Sequence, residues 1–250
     1  MKPIYEPKGR AKEYGDYAIN IYTGCPHECY YCFSPNVLRK QREQFHSCVE
    51  PRANIVEEVR KQIEREHITG KLIHLCFTCD PYPVGHDSSP TREIIKILKE
   101  TGNHVQILTK NGLDAIRDFD LLDENDWFGI TYAGYPYPGR TSDTHYIPEE
   151  EPGSGAPYYR IKALHHAYKR GIKTWVSAEP VLNHTDVLNF IGSADYVNLW
   201  KIGKLNYHPS DINWKEFGEC VERALLIKKR WNPNVDYYIK ESLRTEMNKE

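Results

Sequence analysis

Three cysteines in close succession carry the strongest chemical signal, in the run Tyr22-Thr23-Gly24-Cys25-Pro26-His27-Glu28-Cys29-Tyr30-Tyr31-Cys32. A cubic iron–sulfur cluster has four irons, and proteins usually supply four thiolates to it. Three thiolates leave one iron open to a small chelating molecule, and the amine and carboxylate of an amino acid suit that iron. An electron from a low-potential cluster can then break a bond in the bound molecule. Other chemistries fit less well. A structural zinc site needs a fourth ligand, with His27, His46 or Cys48 as candidates. A thioredoxin-type pair at Cys29 and Cys32 would need neither Cys25 nor two tyrosines between its sulfurs. Haem attachment requires a histidine directly after Cys-x-x-Cys, where Phe33 stands.

The elements that must position this loop follow from hydrophobic period. Short β-branched and aromatic runs at 18–23, 71–78, 104–109, 127–132, 172–178 and 196–202 read as strands, bounded by Gly, Pro, Asn or Asp. Between them, Val56, Val59 and Ile63 recur at helical spacing, as do Ile161, Leu164 and Tyr168, and Trp214, Phe217, Val221 and Leu225. Gly102 and Gly171 stand where helix C-caps are expected, each just before a strand. Alternating strands and helices imply a parallel sheet with right-handed crossovers. The expected fold is α/β, a single domain over 1–250 built as a partial TIM-type (β/α)6 barrel, with the cluster loop at 24–33. A flat doubly wound sheet is the runner-up, but no Gly-x-Gly-x-x-Gly follows the first strand. Residues 134–157 show no apolar period, and a loop of that length is expected to be either a lid over the barrel mouth or a surface excursion.

Composition sets the remaining bounds. The chain has 250 residues, is 40% hydrophobic and carries a net charge of −2, so no global positive field favours nucleic acid as a partner. The basic clusters Arg39, Lys40, Arg42 and Lys228, Lys229, Arg230 read as solvated faces. The stretch from Met1 to Glu6 opens no apolar run, so no signal peptide is expected, and no stretch approaches the length of a membrane span. Seven cysteines, an odd number in a chain of this size, suit reduced thiols and a cytoplasmic location.

The motif Cys25-x3-Cys29-x-Tyr31-Cys32 resembles the signature of the radical S-adenosylmethionine superfamily. Further stretches resemble its spore photoproduct lyase-like subgroup, often labelled "DNA repair photolyase": Gly9-Arg10-Ala11-Lys12-Glu13-Tyr14, Thr78-Cys79-Asp80-Pro81-Tyr82, Thr109-Lys110, Trp175-Val176-Ser177-Ala178-Glu179-Pro180 and Lys201-Ile202-Gly203-Lys204-Leu205-Asn206. The resemblance spans about residues 9 to 206. It implies a 4Fe-4S cluster on Cys25, Cys29 and Cys32, S-adenosyl-L-methionine at the strand ends, and a low-potential donor of flavodoxin or ferredoxin type. It further implies that Thr78, Cys79 and Asp80 meet the methionine amine, Lys110 its carboxylate and Thr131 the ribose, with Tyr31 on the adenine side. Ser177 and Glu179 end the fifth strand; Glu179 is expected to face a ligand or to pair internally with Lys201. Two departures bear on the activity. Lesion-repairing lyases carry a hydrogen-donating cysteine where Phe77 stands and a tyrosine where Phe33 stands, so repair is not the expected reaction unless Cys76 or Cys79 substitutes from a neighbouring position, and the substrate is open. Cys76 and Cys79 are expected on opposite faces of their strand, Cys220 in the core, and Cys48 has no expected role.

Overall fold

The structure, a computed structural model, describes residues 2–135 and 143–249. Its eight strands follow chain order across one sheet: β1 Ile4–Tyr5, β2 Tyr17–Ile19, β3 Leu72–Leu75, β4 His104–Thr109, β5 Trp127–Thr131, β6 Lys173–Ala178, β7 Leu199–Ile202 and β8 Asp236–Ile239. Only β1 runs antiparallel to its neighbour; β2 through β8 pair in parallel. The helices are α1 Ser34–Leu38, α2 Arg42–Ser47, α3 Ile55–Glu66, α4 Ser89–Glu100, α5 Gly112–Ala115, α6 Pro157–Lys169, α7 His184–Ser193, α8 Trp214–Trp231 and α9 Glu241–Met247. The six expected strands are thus β2 to β7, and the fold adds an antiparallel edge and a seventh β/α unit. Gly102 and Gly171 adopt φ of +72° and +78°, ending α4 and α6 as the sequence implies.

The sheet curls. β3 and β6 are three strands apart, which in a flat sheet means about 14 Å, yet the His74 and Trp175 rings lie 6.0 Å apart. Alternation decides what the curl encloses. His74 pairs in register with Gln106, and Thr131, Ser177 and Lys201 form a second row, so polar side chains share the inner face. Leu75, Ile107, Ile130, Val176, Trp200 and Ile202 fall on the other face, in the apolar core shared with the helices. Gly129 is required by this arrangement, since a Cβ there would lie 2.3 Å from the Trp175 indole.

No pairing joins β8 to β1 or β2 among the described residues, so the barrel is open on one side. A short 3-10 turn, Gly9–Glu13, bridges the gap. Its Glu13 accepts bonds from Tyr238 and the Glu241 amide, and Tyr14 reaches inside against His74, Phe77 and Trp175.

Two helical stripes differ from expectation. In α6 the buried set is Pro157, Arg160, Ala163, Leu164 and Ala167, while Tyr168 is 44% exposed. The small face allows α6 to approach α5, where a Cβ on Gly112 would sit 2.7 Å from the Arg160 Cα. In α8, Phe217, Gly218, Val221 and Leu225 are buried but Cys220 is exposed, since it lies about 100° around the helix from Val221. No helix among the described residues is long and apolar enough to cross a membrane.

Candidate functional site

The cluster loop leaves β2 and is held from beneath by α2. The Cys25 amide donates to the Phe45 carbonyl at 3.2 Å, and the His46 ring bonds through Nδ1 to the Cys25 carbonyl at 2.7 Å. Gly24 is fixed by this close approach, because a Cβ would meet the carbonyl oxygens of Phe45 at 2.3 Å and Cys48 at 2.6 Å. Lys40 donates to the Thr23 carbonyl, and Arg42 to those of Cys29 and Cys32. The basic run at 39–42 therefore contributes structural donors as well as a solvated face.

All three loop cysteines are free thiols, Cys29 buried and the others half-buried. Burial pushes Cys29 up to about 12 and Cys25 well above its ordinary range, which favours the neutral thiols over the thiolates. The donor set fits a cluster better than a single ion. Four sulfurs on one zinc stand about 3.8 Å apart, given a Zn–S length of about 2.3 Å. Among the described residues only His104, Asp123 and Asp126 bring three ligand atoms within 4.8 Å of one another, and the Lys99 ammonium already bridges those aspartates. The three loop thiols are not gathered in that way among the described residues. His27 adds no fourth ligand, for its Nε2 accepts the Val84 amide and its Nδ1 faces Asp80 at 3.5 Å.

Beside the loop lies a charged group that sequence reasoning did not find. Glu151 and Arg160 are both fully buried, 2.6 Å apart. The Tyr31 hydroxyl donates to the Glu151 carboxylate, and Arg160 donates to Gly155, Ser154 and Tyr135. Burial alone would raise Glu151, but Arg160 and Lys110 outweigh it and hold the carboxylate below its usual range. Lys110 follows β4 with its ammonium 5.5 Å from the centre of the Tyr31 ring and in no ion pair among the described residues. Burial disfavours its charge, but attraction from neighbouring acidic groups, Glu151 and Asp80 among them, prevails and its pKa is raised.

Residues 143–157 reach the loop directly. The Tyr30 amide donates to Glu150, the Gly153 amide to His27, and the Gly155 amide to Lys110. Gly153 packs where a Cβ would be 2.0 Å from the Pro26 carbonyl oxygen. This part of the 134–157 segment forms a wall of the site; positions 136–142 lie outside the described residues.

At the end of β3, Asp80 acts as a clamp. It accepts the Tyr82 amide at 2.9 Å, the Thr109 hydroxyl at 2.6 Å and the Lys110 amide at 2.8 Å, tying the ends of β3 and β4 together. The Thr78 amide bonds to Asn20, while its hydroxyl is buried with no partner, as a pocket awaiting a polar ligand would leave it. The chain bends after Leu75, which brings Cys76 and Cys79 into side-chain contact, where a continuing strand would have parted them. Among the described residues no third metal ligand joins them.

Thr131, Ser177 and Glu179 lie further round the barrel. The Thr131 carbonyl accepts from Arg160, and Ser177 bonds to the Tyr14 hydroxyl at 3.1 Å. Glu179 pairs with Lys240 and Arg10 and accepts from Asn206 at 3.1 Å. The expected Glu179–Lys201 pair is absent from these contacts. Lys201 instead donates to the Glu13 and Tyr14 carbonyls at 2.8 and 3.0 Å, because Lys240, from the seventh unit, occupies the place beside the carboxylate. Phe77 stacks on His74 with ring centres 4.3 Å apart, whereas Phe33 is 50% exposed at the start of α1.

Glu151, Arg160, Lys240 and Tyr14 are the site residues that local patterns missed. The available signals were a glutamate directly before Pro152-Gly153 and a lysine at a strand end.

Among known proteins, no family model matches the chain. An uncharacterised protein of Methanocaldococcus jannaschii is 27% identical over 224 residues, covering 85% of this chain and 82% of that protein. An uncharacterised protein of Acidianus two-tailed virus is 27% identical over 188 residues, covering 70% and 60%. Spore photoproduct lyase complexed with dinucleoside spore photoproduct superposes with a TM-score of 0.67 at 12% identity, covering 94% of this chain and 79% of that one. Streptococcus suis SuiB bound to S-adenosylmethionine gives 0.64 at 11% identity, covering 92% and 52%. Both alignments take in almost the whole chain, and the protein accordingly has the fold of spore photoproduct lyase and SuiB.

Proposed function

We propose that this chain is a radical S-adenosylmethionine enzyme, with a 4Fe-4S cluster on Cys25, Cys29 and Cys32. What supports the proposal is a loop carrying three free thiols, not gathered around one point among the described residues, on a chain with the fold of spore photoproduct lyase and SuiB. When bound, the cluster supplies one electron to the sulfonium of S-adenosylmethionine, which yields methionine and a 5′-deoxyadenosyl radical able to take hydrogen from a substrate.

The chain's own groups have separable tasks. Lys110, whose pKa is raised and which forms no ion pair among the described residues, suits the methionine carboxylate. The Thr78 hydroxyl suits a polar atom of the same ligand. Asp80 acts on that ligand through the frame, fixing the Lys110 and Tyr82 amides. Tyr31, Thr131, Ser177 and Glu179 complete the wall. A low-potential flavodoxin or ferredoxin is the electron donor this chemistry needs. The substrate class is open between nucleic acid and peptide, since spore photoproduct lyase was solved with a dinucleoside lesion and SuiB with its precursor peptide. Phe77 offers no thiol hydrogen to a product radical, and this argues against lesion repair.

Anaerobic purification with iron, sulfide and zinc analysis tests the metal, and incubation with dithionite and S-adenosylmethionine tests the reaction. About four irons and four sulfides per chain with 5′-deoxyadenosine formed is the expected result. Zinc without sulfide would overturn the proposal, and so would a reducible cluster that never yields 5′-deoxyadenosine.

A further inference from the structure

Glu151 lies on a segment with no expected role in cofactor chemistry, yet it is the point where the cluster loop, the end of β4 and the start of α6 meet. Its side chain is fully buried and ionised. Placing a carboxylate and a guanidinium in a dry interior is costly, and such pairs are seldom justified by stability alone. Here the pair is surrounded by groups that line the site. Tyr31, directly before Cys32, donates to the carboxylate. Lys110 stands over the same Tyr31 ring. Backbone bonds from Tyr30 to Glu150 and from Gly153 to His27 fasten the two chain segments on either side of the contact, and Gly153 admits this only because it lacks a Cβ. Arg160, anchored by Gly155, Ser154 and Tyr135, keeps the carboxylate from turning away.

We propose that Glu151 is a positioning residue: it orients Tyr31 through a hydrogen bond and holds the Lys110 ammonium in place for a ligand carboxylate, touching neither the cofactor nor the metal itself. The inference rests on the function proposed above. The buried Glu151 anion attracts Lys110 without forming a close ion pair with it among the described residues, which leaves the ammonium available. Loss of the charge would free both side chains together and leave Arg160 without its counter-charge.

The test compares wild type, Glu151→Gln, Glu151→Asp and Tyr31→Phe, each reconstituted anaerobically. The readout is the change in the electron paramagnetic resonance spectrum of the reduced cluster on titration with S-adenosylmethionine, taken with iron content and thermal melting. Glu151→Gln should keep its iron and lose affinity for S-adenosylmethionine by tenfold or more. Tyr31→Phe should fold as wild type and lose a smaller factor, and Glu151→Asp should recover part of the loss. Tyr31→Phe keeps the test decisive if Glu151→Gln fails to fold, since it removes the hydrogen bond alone. Titration curves for Tyr31→Phe and for any folded Glu151 variant that match wild type would overturn the inference. A wild-type protein with no cluster would instead sink the proposed function.

Discussion

Gly24 is the point where α2 presses closest on the cluster loop, and substituting it with alanine puts a number on how firmly that helix holds the loop. The new Cβ would lie 2.3 Å from the Phe45 carbonyl oxygen and 2.6 Å from that of Cys48. Ordinary carbon–oxygen contacts begin near about 3.3 Å, so the Phe45 carbonyl must retreat by about 1 Å. That carbonyl accepts the Cys25 amide at 3.2 Å, and the neighbouring His46 ring holds the Cys25 carbonyl, so both bonds break with the shift. Overpacking costs about 1–3 kcal/mol and each lost bond about 1 kcal/mol, together about 3–5 kcal/mol. For a chain of this size that corresponds to a fall in melting temperature of roughly 10 °C. The assay is thermal unfolding of the apoprotein by circular dichroism, followed by iron and sulfide content after reconstitution, where a loss should accompany the lower stability. Gly192→Ala is the control, because outside its own helix backbone and chain neighbours no described residue comes within 4 Å of its Cβ position in α7; it should be neutral or slightly stabilising. A Gly24→Ala protein that melts with wild type and binds the same iron would refute this account of the loop.

Two further predictions concern the frame around the site. Asp80→Asn places an amide donor against donors that the carboxylate now accepts, and should cost about 1–3 kcal/mol in urea unfolding; the Lys110 amide should exchange faster with deuterium, and unchanged exchange would remove Asp80 as the clamp. Burial, with the Lys240 charge beside it, lowers Lys201 from 10.5 to about 8. Between pH 8 and 10.5 the unfolded chain therefore binds more protons there than the folded one, so this lysine's contribution makes stability rise with pH in that window and stay level below it. The unfolding free energy of wild type minus that of Lys201→Met should increase from pH 8 to 10; a flat difference would show that Lys201 keeps an ordinary pKa in the fold.

Much of the barrel was legible because its central strands are short apolar runs closed by Gly, Pro, Asn or Asp, and because Gly102 and Gly171 mark helix ends. The edges were not. β1 has two residues, and β8 carries Asp236 and two tyrosines with only Ile239 buried, so neither shows the pattern of a covered strand. The consequence is direct, for Lys240 follows β8 and takes the place beside Glu179 that one of the two readings of that glutamate gave to Lys201. The cysteine loop was readable because its chemistry lies within eight positions. Glu151 was not, since it meets Tyr31 across 120 positions of sequence, and no local period records such a meeting. Cys76 and Cys79 follow the same logic on a small scale, their geometry set by a bend that strand alternation does not anticipate.

The strap formed by Gly9 to Tyr14 ties the beginning of the chain to its end. Tyr14 contacts Lys240 across 226 positions, so the wall of the barrel cannot be completed until Lys240 has left the ribosome. Contacts of such separation raise the loop-closure cost of folding. The polar interior therefore stays open to water until the segments on both sides of the gap have been made and the strap closes over it.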